Sequence, residues 1–235
     1  MAIIGTEIKF TLPADQVPAG LAAFGLRESD ADVRAIYFVD RANHAGDPWL
    51  FRHHVILRAR RDPDGSGDVT VKLRPAVADR LTGRWRPGIE HRADYRVELD
   101  WAREKVLAAS VEEKIDSNIE ALLAGPRKRT FSHEQQDFLR RCGPELDTPM
   151  RDLRNLGPVA ALRWKDIEAG RVTGLRAERW TWHGDRTFLE LSLRCAGEDE
   201  ATEQRALLVA ELQKLGLELD DSAITKTEAV LRDLL

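Results

Sequence analysis

Cysteine is scarce, with only Cys142 and Cys195 in 235 residues. Two cysteines this far apart fit no metal-ligand spacing and cannot staple a domain of this size, so a reducing compartment is expected. Long apolar runs are missing as well. No stretch approaches the roughly 18 apolar residues of a membrane span, and the amino end lacks the basic stretch, apolar core and cleavage site of a signal peptide. The expectation is a cytoplasmic chain with no membrane partner. Nor is charge of one sign in excess, at 36 Lys and Arg against 40 Asp and Glu, which removes any whole-molecule attraction to nucleic acid. A polyanion site must therefore be local. Lysine is also rare, 8 residues against 28 arginines, a ratio that fits either a GC-rich coding bias or many fork-shaped phosphate donors.

Period-two alternation marks eight strands, at 3 to 10, 34 to 40, 50 to 61, 68 to 75, 90 to 101, 159 to 166, 174 to 183 and 187 to 195. Asp62 to Gly67 is a loop between the third and fourth, and His183-Gly184-Asp185 closes a hairpin between the last two. Helical patterns fall at 14 to 26, 132 to 141, 200 to 215 and 226 to 234, the second opened by Ser132 and Gln135 in capping-box spacing. From 103 to 124, Leu107, Val111, Ile115, Ile119 and Leu122 read as one helical stripe stopped by Gly125-Pro126. The stretch from 103 to about 150 thus reads as a helical insertion within a single domain of residues 1 to 235.

Alternation also sorts the side chains of each strand onto two faces. One face carries Glu7 and Lys9, Arg58 and Arg60, Thr70, Lys72 and Arg74, Arg92 to Asp100 in steps of two, Arg163 and Lys165, Arg176 and Glu178, and Glu190, Ser192 and Arg194. The other is apolar. An open antiparallel sheet could turn the charged face to water, but cations two residues apart on so many strands repel unless an anion or carboxylate lies between them. Closing the sheet into a barrel points the charges into a lumen, where a small, multiply charged anion could bind. His53 and His54 are adjacent and cannot share a metal from one strand. They read as packing or surface residues, as Arg127-Lys128-Arg129 reads as a solvated loop and Trp180 and Trp182 as filling for a barrel end.

Glu7-Ile8-Lys9, Tyr37 to Asp40, Leu57 to Arg61, Val71 to Arg74 and Glu190-Leu191-Ser192, in this order and spacing, resemble the CYTH superfamily, the triphosphate tunnel metalloenzymes. Phe131 to Gln135, Leu156-Gly157-Pro158 and Thr225-Lys226-Thr227 resemble a bacterial subgroup with a helical insertion. The resemblance implies an α+β fold: an eight-stranded antiparallel β-barrel, or tunnel, with helices packed outside. It implies a triphosphate-containing small molecule held by Lys9, Arg58, Arg60, Lys72 and Arg74, with Arg163, Lys165, Arg194 and Lys226 as further cations. Glu7, Glu98, Asp100, Glu178 and Glu190 would hold Mg²⁺ or Mn²⁺, and Glu7 and Lys9 would be catalytic. The implied activity is metal-dependent hydrolysis of inorganic triphosphate or a nucleoside triphosphate. A CYTH-type adenylyl cyclase and a non-catalytic polyphosphate- or nucleotide-binding module are the alternatives, and a homodimer is left open. Two positions depart from the pattern: Gly5 and Ser192 stand where the family has carboxylates.

Overall fold

The computed structural model describes residues 5–41, 46–88, 94–146, 152–220 and 225–235. Its strands are β1 (Gly5–Leu12), β2 (Asp32–Asp40), β3 (Val55–Arg61), β4 (Gly67–Leu73), β5 (Tyr95–Trp101), β6 (Lys105–Ile115), β7 (Arg154–Ala169), β8 (Val172–Trp182) and β9 (Arg186–Cys195). The helices are α1 (Val17–Ala23), α2 (Trp49–Arg52), α3 (Ile119–Ala124), α4 (Arg127–Thr130), α5 (His133–Cys142), α6 (Glu198–Lys214) and α7 (Lys226–Leu234).

The strands close into a barrel in the order β1-β5-β6-β4-β3-β2-β7-β8-β9. The fold is α+β, as expected, but the barrel has nine strands and is mixed, not eight and antiparallel. The two corrections are one. A ring whose every pairing reverses direction needs an even number of strands, so a ninth forces one parallel pair. That pair is β1 with β5, Glu7 facing Asp100.

The added strand is β6, which occupies residues read as a helix. Leu107, Val111 and Ile115 are four residues apart, and four is even, so the spacing that puts them on one side of a helix also puts them on one face of a strand. The segment pairs with β4 on one side and β5 on the other, Val111 facing Val71 and Tyr95. The helical stretch therefore begins at Ile119, not 103. Residues 50 to 61 also split, because the Asp40 carboxylate accepts the backbone N–H groups of Leu50 and Phe51 and so starts the short α2 before β3. The Ser132–Gln135 capping box opens α5 as expected.

Three apolar clusters position the barrel. Outside β3, β4 and β6, Leu57, Val69, Val71 and Val111 pack with Ile119, Phe131, Phe138 and Trp85. Outside β1, β8 and β9, Ile8, Phe10, Leu175 and Leu191 pack with Leu208 and Leu212 of α6 and Val17 of α1. The third cluster lies within one end of the barrel: Ile36, Phe38, Trp180 and Phe188 meet Val230 and Leu231 of α7. That end is filled by side chains. Among the described residues no helix is long and apolar enough to cross a membrane.

Candidate functional site

Register decides which side chains share the lumen. Glu7 sits opposite Asp100 on one side and Arg194 on the other. Gly5 faces Glu98 and Lys9 faces Ser192. Arg58 and Arg60 face Thr70 and Asp68, Lys72 faces Ser110, and Glu178 faces Glu190. Their neighbours in sequence, such as Ile8, Leu57, Ala59, Val71 and Leu191, belong to the outer clusters.

Three ion-pair groups result. At the centre of the first, one oxygen of Asp100, Oδ2, accepts Lys9 Nζ at 2.9 Å, Lys72 Nζ at 3.0 Å and Arg74 Nε at 3.0 Å. Asp100 is 2% exposed, and its other oxygen is buried without a partner. Lys9 also reaches Glu7 at 2.9 Å, Arg194 reaches Glu7 at 3.2 Å, and Lys72 lies 3.4 Å from Glu98. In the second group Arg60 bridges Asp68 at 2.9 Å and Glu112 at 2.6 Å, while Arg34 lies 2.8 Å from Asp62 and 3.9 Å from Asp68. The third is at the filled end, where Lys226 donates to Glu190 and lies 3.8 Å from Glu178. Arg58 differs from all of these. Its Nε is buried without a hydrogen-bond partner, and among the described residues no carboxylate comes within ion-pair distance of it.

These pairings move the titrations. Burial pushes the Glu7 carboxyl upward, but Lys9, Arg194 and Lys72 outweigh it and hold it at about 2. Burial likewise opposes ionisation of Asp100, and Lys9, Lys72 and Arg74 overcome it to hold the carboxyl well below the ordinary range. Glu178 is lowered too, against burial, by Lys226, Arg58 and Arg60. Burial pulls Arg58 down, and the neighbouring Arg60 adds to it.

A carboxylate with a lower pKa folded than unfolded adds stability above its unfolded value and loses it as the pH falls through its folded value. Between 4.5 and about 2, Glu7 alone should withdraw on the order of 3 kcal/mol. Thermal melts at decreasing pH should fall most steeply over that interval, and Glu7→Gln should flatten the curve. A Tm independent of pH there would mean that the Glu7 pairings are absent in solution.

The tunnel thus gathers Glu7, Lys9, Glu98, Asp100, Lys72, Arg74 and Arg194 in one group, and Glu178, Glu190 and Lys226 in another. Lys165 is not gathered with them. It is 47% exposed at the rim, where it and Arg163 both pair with Asp32, 2.7 and 2.9 Å away. Lys226, from Thr225-Lys226-Thr227, donates to Glu190 and lies 3.8 Å from Glu178. His53 Nδ1 donates to the Trp49 carbonyl, 2.7 Å away, and its ring lies tilted against that of Trp49, while His54 takes a left-handed turn with φ 65°. Trp180 and Trp182 fill the barrel end. Arg34, Asp68 and Glu112 were not among the expected site residues. Arg34 shares the parity of Ile36 and Asp68 that of Lys72, so extending each alternation would have reached them. Glu112 was hidden by the helical reading of β6.

Among the described residues no three metal-ligating side chains come together. Glu7 with Asp100 and Glu178 with Glu190 are cross-strand pairs, each bridged by a lysine ammonium, and Glu98 lies 3.4 Å from Lys72.

No protein-family model matches the sequence, and no curated protein matches it. Solved structures do. A candidate adenylate cyclase from Bacillus halodurans superposes with a TM-score of 0.60 at 16% identity, over 97% of each chain. A candidate adenylyl cyclase from Hippeastrum, described as having a dominant triphosphatase activity, superposes at 0.58 and 20% identity, over 99% of this chain and 96% of that one. The chain shares the fold of these two proteins. That fold is a closed β-barrel with helices outside, the coarser part of the expected architecture.

Proposed function

We propose that the tunnel binds and hydrolyses a linear triphosphate, inorganic or as part of a nucleoside triphosphate. Arg58 carries this reading, as a half-buried guanidinium facing the lumen whose Nε is buried without a partner and which no carboxylate among the described residues approaches to ion-pair distance. A buried donor left without a partner is costly and is retained where an anion completes it. Beside it Arg60, Lys72, Arg74, Lys9 and Arg194 offer forks and ammonium groups along the lumen, and charge-assisted bonds from such groups to non-bridging oxygens are the strong kind. They would stabilise the charge that builds on a transferred phosphoryl group.

Binding would also change Glu7. Held at about 2 by its lysines and Arg194, its carboxylate is a poor base at neutral pH. A triphosphate that draws Lys9 and Lys72 onto its oxygens removes the groups that lower Glu7, and burial then raises it. The carboxylate becomes a better acceptor for a water proton when substrate is present. Mg²⁺ or Mn²⁺ fits here as an ion carried in on the triphosphate, since one or two carboxylates plus phosphate oxygens suffice for it, and Asp100, opposite Glu7, is the carboxylate placed for this. A binding module that does not turn over is the second reading, favoured by Gly5 and Ser192 and by the engagement of each carboxylate pair with a lysine.

Phosphate release from tripolyphosphate and from ATP, with Mg²⁺, with Mn²⁺ and with chelator, tests the proposal. Release that prefers tripolyphosphate supports hydrolysis, and cyclic nucleotide with pyrophosphate from ATP would replace it with a cyclase. Thermal stabilisation by tripolyphosphate without release would leave the binding module. Neither release nor stabilisation would overturn both.

The lost carboxylate at position 5 can be tested separately. Gly5 faces Glu98, and a Cβ built there meets only the Cys195 carbonyl, at 3.4 Å. Gly5→Glu should therefore fit and bring a third carboxylate beside Glu7 and Glu98. Mn²⁺ affinity measured by electron paramagnetic resonance without triphosphate should rise at least about tenfold. An unchanged affinity would mean that Gly5 does not face the lumen.

A further inference from the structure

One end of the barrel is filled by Ile36, Phe38, Trp180 and Phe188, so a ligand longer than the lumen must extend out of the other. The last two strands mark the way. On β8 the inner face runs from Trp180 through Glu178 to Arg176, and on β9 from Phe188 through Glu190 and Ser192 to Arg194. Leu175 and Ala177, on either side of Arg176 in sequence, belong to an outer cluster, which puts Arg176 on the lumen face.

Register gives Arg176 its surroundings. Ser192 faces Arg176 on one side and Lys9 on the other. Neighbouring strands lie about 4.8 Å apart, so the β8 and β1 backbones stand about 10 Å apart with only a serine side chain between them on this face. Lys9 is held by Glu7 and Asp100, and Arg194 by Glu7. Arg176 is exposed, and among the described residues no carboxylate comes within ion-pair distance of it. Partial desolvation pulls its guanidinium down and Arg194 and Arg163 add to this, while Glu7 and Asp166 oppose it. Arg163 has its own carboxylate, Asp32 at 2.9 Å, yet its Nε is buried without a partner. Neighbouring cations of this kind repel unless an anion lies between them. A phosphate above Ser192 would accept from the forks of Arg176 and Arg194 and from the serine hydroxyl. The inner-face positions around it, Gly5, Glu98, Arg163, Ser192 and Arg194, carry no ring on which a base stacks.

We propose that Arg176, with Arg194 and the Ser192 hydroxyl, forms an outer anion subsite at the open mouth of the tunnel that takes the phosphate next beyond a triphosphate. The preferred ligand is then a linear polyphosphate longer than triphosphate, entering by its end. This rests on the reading of the lumen as a triphosphate site: Arg58 acts on the inner phosphates and Arg176 on the outer one.

Isothermal titration of the full chain with tripolyphosphate and with tetrapolyphosphate, at fixed ionic strength and with chelator to prevent turnover, tests the subsite. The unsubstituted protein should bind the longer chain at least about tenfold more tightly. Arg176→Ala should bring that ratio to within about threefold while leaving the affinity for tripolyphosphate within about threefold. Its Tm should not change, since Arg176 is exposed and has no ion pair to lose. Equal affinity for the two chains in the unsubstituted protein would overturn the proposal. So would an equal loss for both chains in R176A, which would put Arg176 on the triphosphate itself. Lys165→Ala removes another rim cation and should leave the ratio as it was. If it lowers the ratio as R176A does, net charge at the rim is the cause and the proposal fails. A tenfold loss in R176A confined to ATP would assign the mouth to a nucleotide and overturn it as well.

Arg58→Ala separates the subsite from the reading it rests on. It should weaken both chains and preserve their ratio. If R58A weakens both and R176A changes neither, the lumen holds its triphosphate and the outer subsite falls. If R58A changes neither while R176A abolishes the preference for the longer chain, the triphosphate reading of the lumen fails and the anion subsite at the mouth stands. Binding of neither chain by the unsubstituted protein would overturn both.

Discussion

Replacing Asp100 with Ala should destabilise the protein by about 3 to 5 kcal/mol, the range for removing one partner from a buried charge group. Three cations share a single oxygen of this carboxylate. Lys9 keeps Glu7 and Lys72 keeps Glu98 in the variant, which favours the lower part of that range. No other carboxylate among the described residues pairs with Arg74. The same substitution should make the fold depend on an added anion. Tripolyphosphate should raise the Tm of Asp100→Ala by more than it raises that of the unsubstituted protein, because it meets cations that have no internal competitor. Urea melts with and without tripolyphosphate measure both effects. A stability loss below about 1 kcal/mol would mean that the three cations are not held by Asp100 in solution.

Arg58→Ala should have the opposite profile. Arg58 makes no direct ion pair among the described residues and its Nε is buried and unsatisfied, which offsets the loss of its longer-range attraction to Glu178, so its removal should change the stability of the free protein by less than about 1 kcal/mol. The triphosphate, however, loses a charge-assisted bond worth about 1 to 3 kcal/mol, roughly 5- to 150-fold in affinity. Lys72→Ala should cost less. In binding an anion Lys72 gives up part of its bond to Asp100, 3.0 Å long, so its net contribution is the difference of two interactions. Isothermal titration with tripolyphosphate orders the two variants. Equal affinity for Arg58→Ala and the unsubstituted protein would remove the triphosphate from this part of the lumen.

The charged face of the barrel was legible in the sequence because period two survives every uncertainty about where a strand begins. Glu7 and Lys9, Arg58 and Arg60, and Glu178 and Glu190 keep their parity whether or not the ends are placed correctly, and the structure turns all of them inward. Strand number was less legible. Apolar residues four apart fit either period, and in β6 the residues that distinguish them, Glu112 and Lys114 alternating with Val111 and Ile115, also suit a helix surface. Pairing with β4 and β5 decides the matter, and pairing is a long-range property. Partnership inside the lumen was less legible still. That Lys226 serves Glu190, 36 residues earlier, or that Lys165 turns to Asp32 at the rim, depends on how far each strand is displaced along the barrel wall. Alternation says which way a side chain faces and not how deep it lies.

The parallel pairing of the first strand also governs the order in which the chain can fold. Gly5 meets Glu98, and Thr6 meets Cys195, so β1 has no partner close to it in sequence. Contacts at such separation form slowly, since the closure entropy of the intervening chain opposes them until both strands are present. During synthesis the local hairpins, β3 with β4, β5 with β6 and β8 with β9, can assemble as they emerge, while β1 waits as an unpaired edge that carries Glu7 and Lys9 at its centre. Those charges disfavour its pairing with a second chain in the interval, in the way inward-pointing charges protect edge strands generally. The residues that serve a finished tunnel would then also keep the nascent one from aggregating.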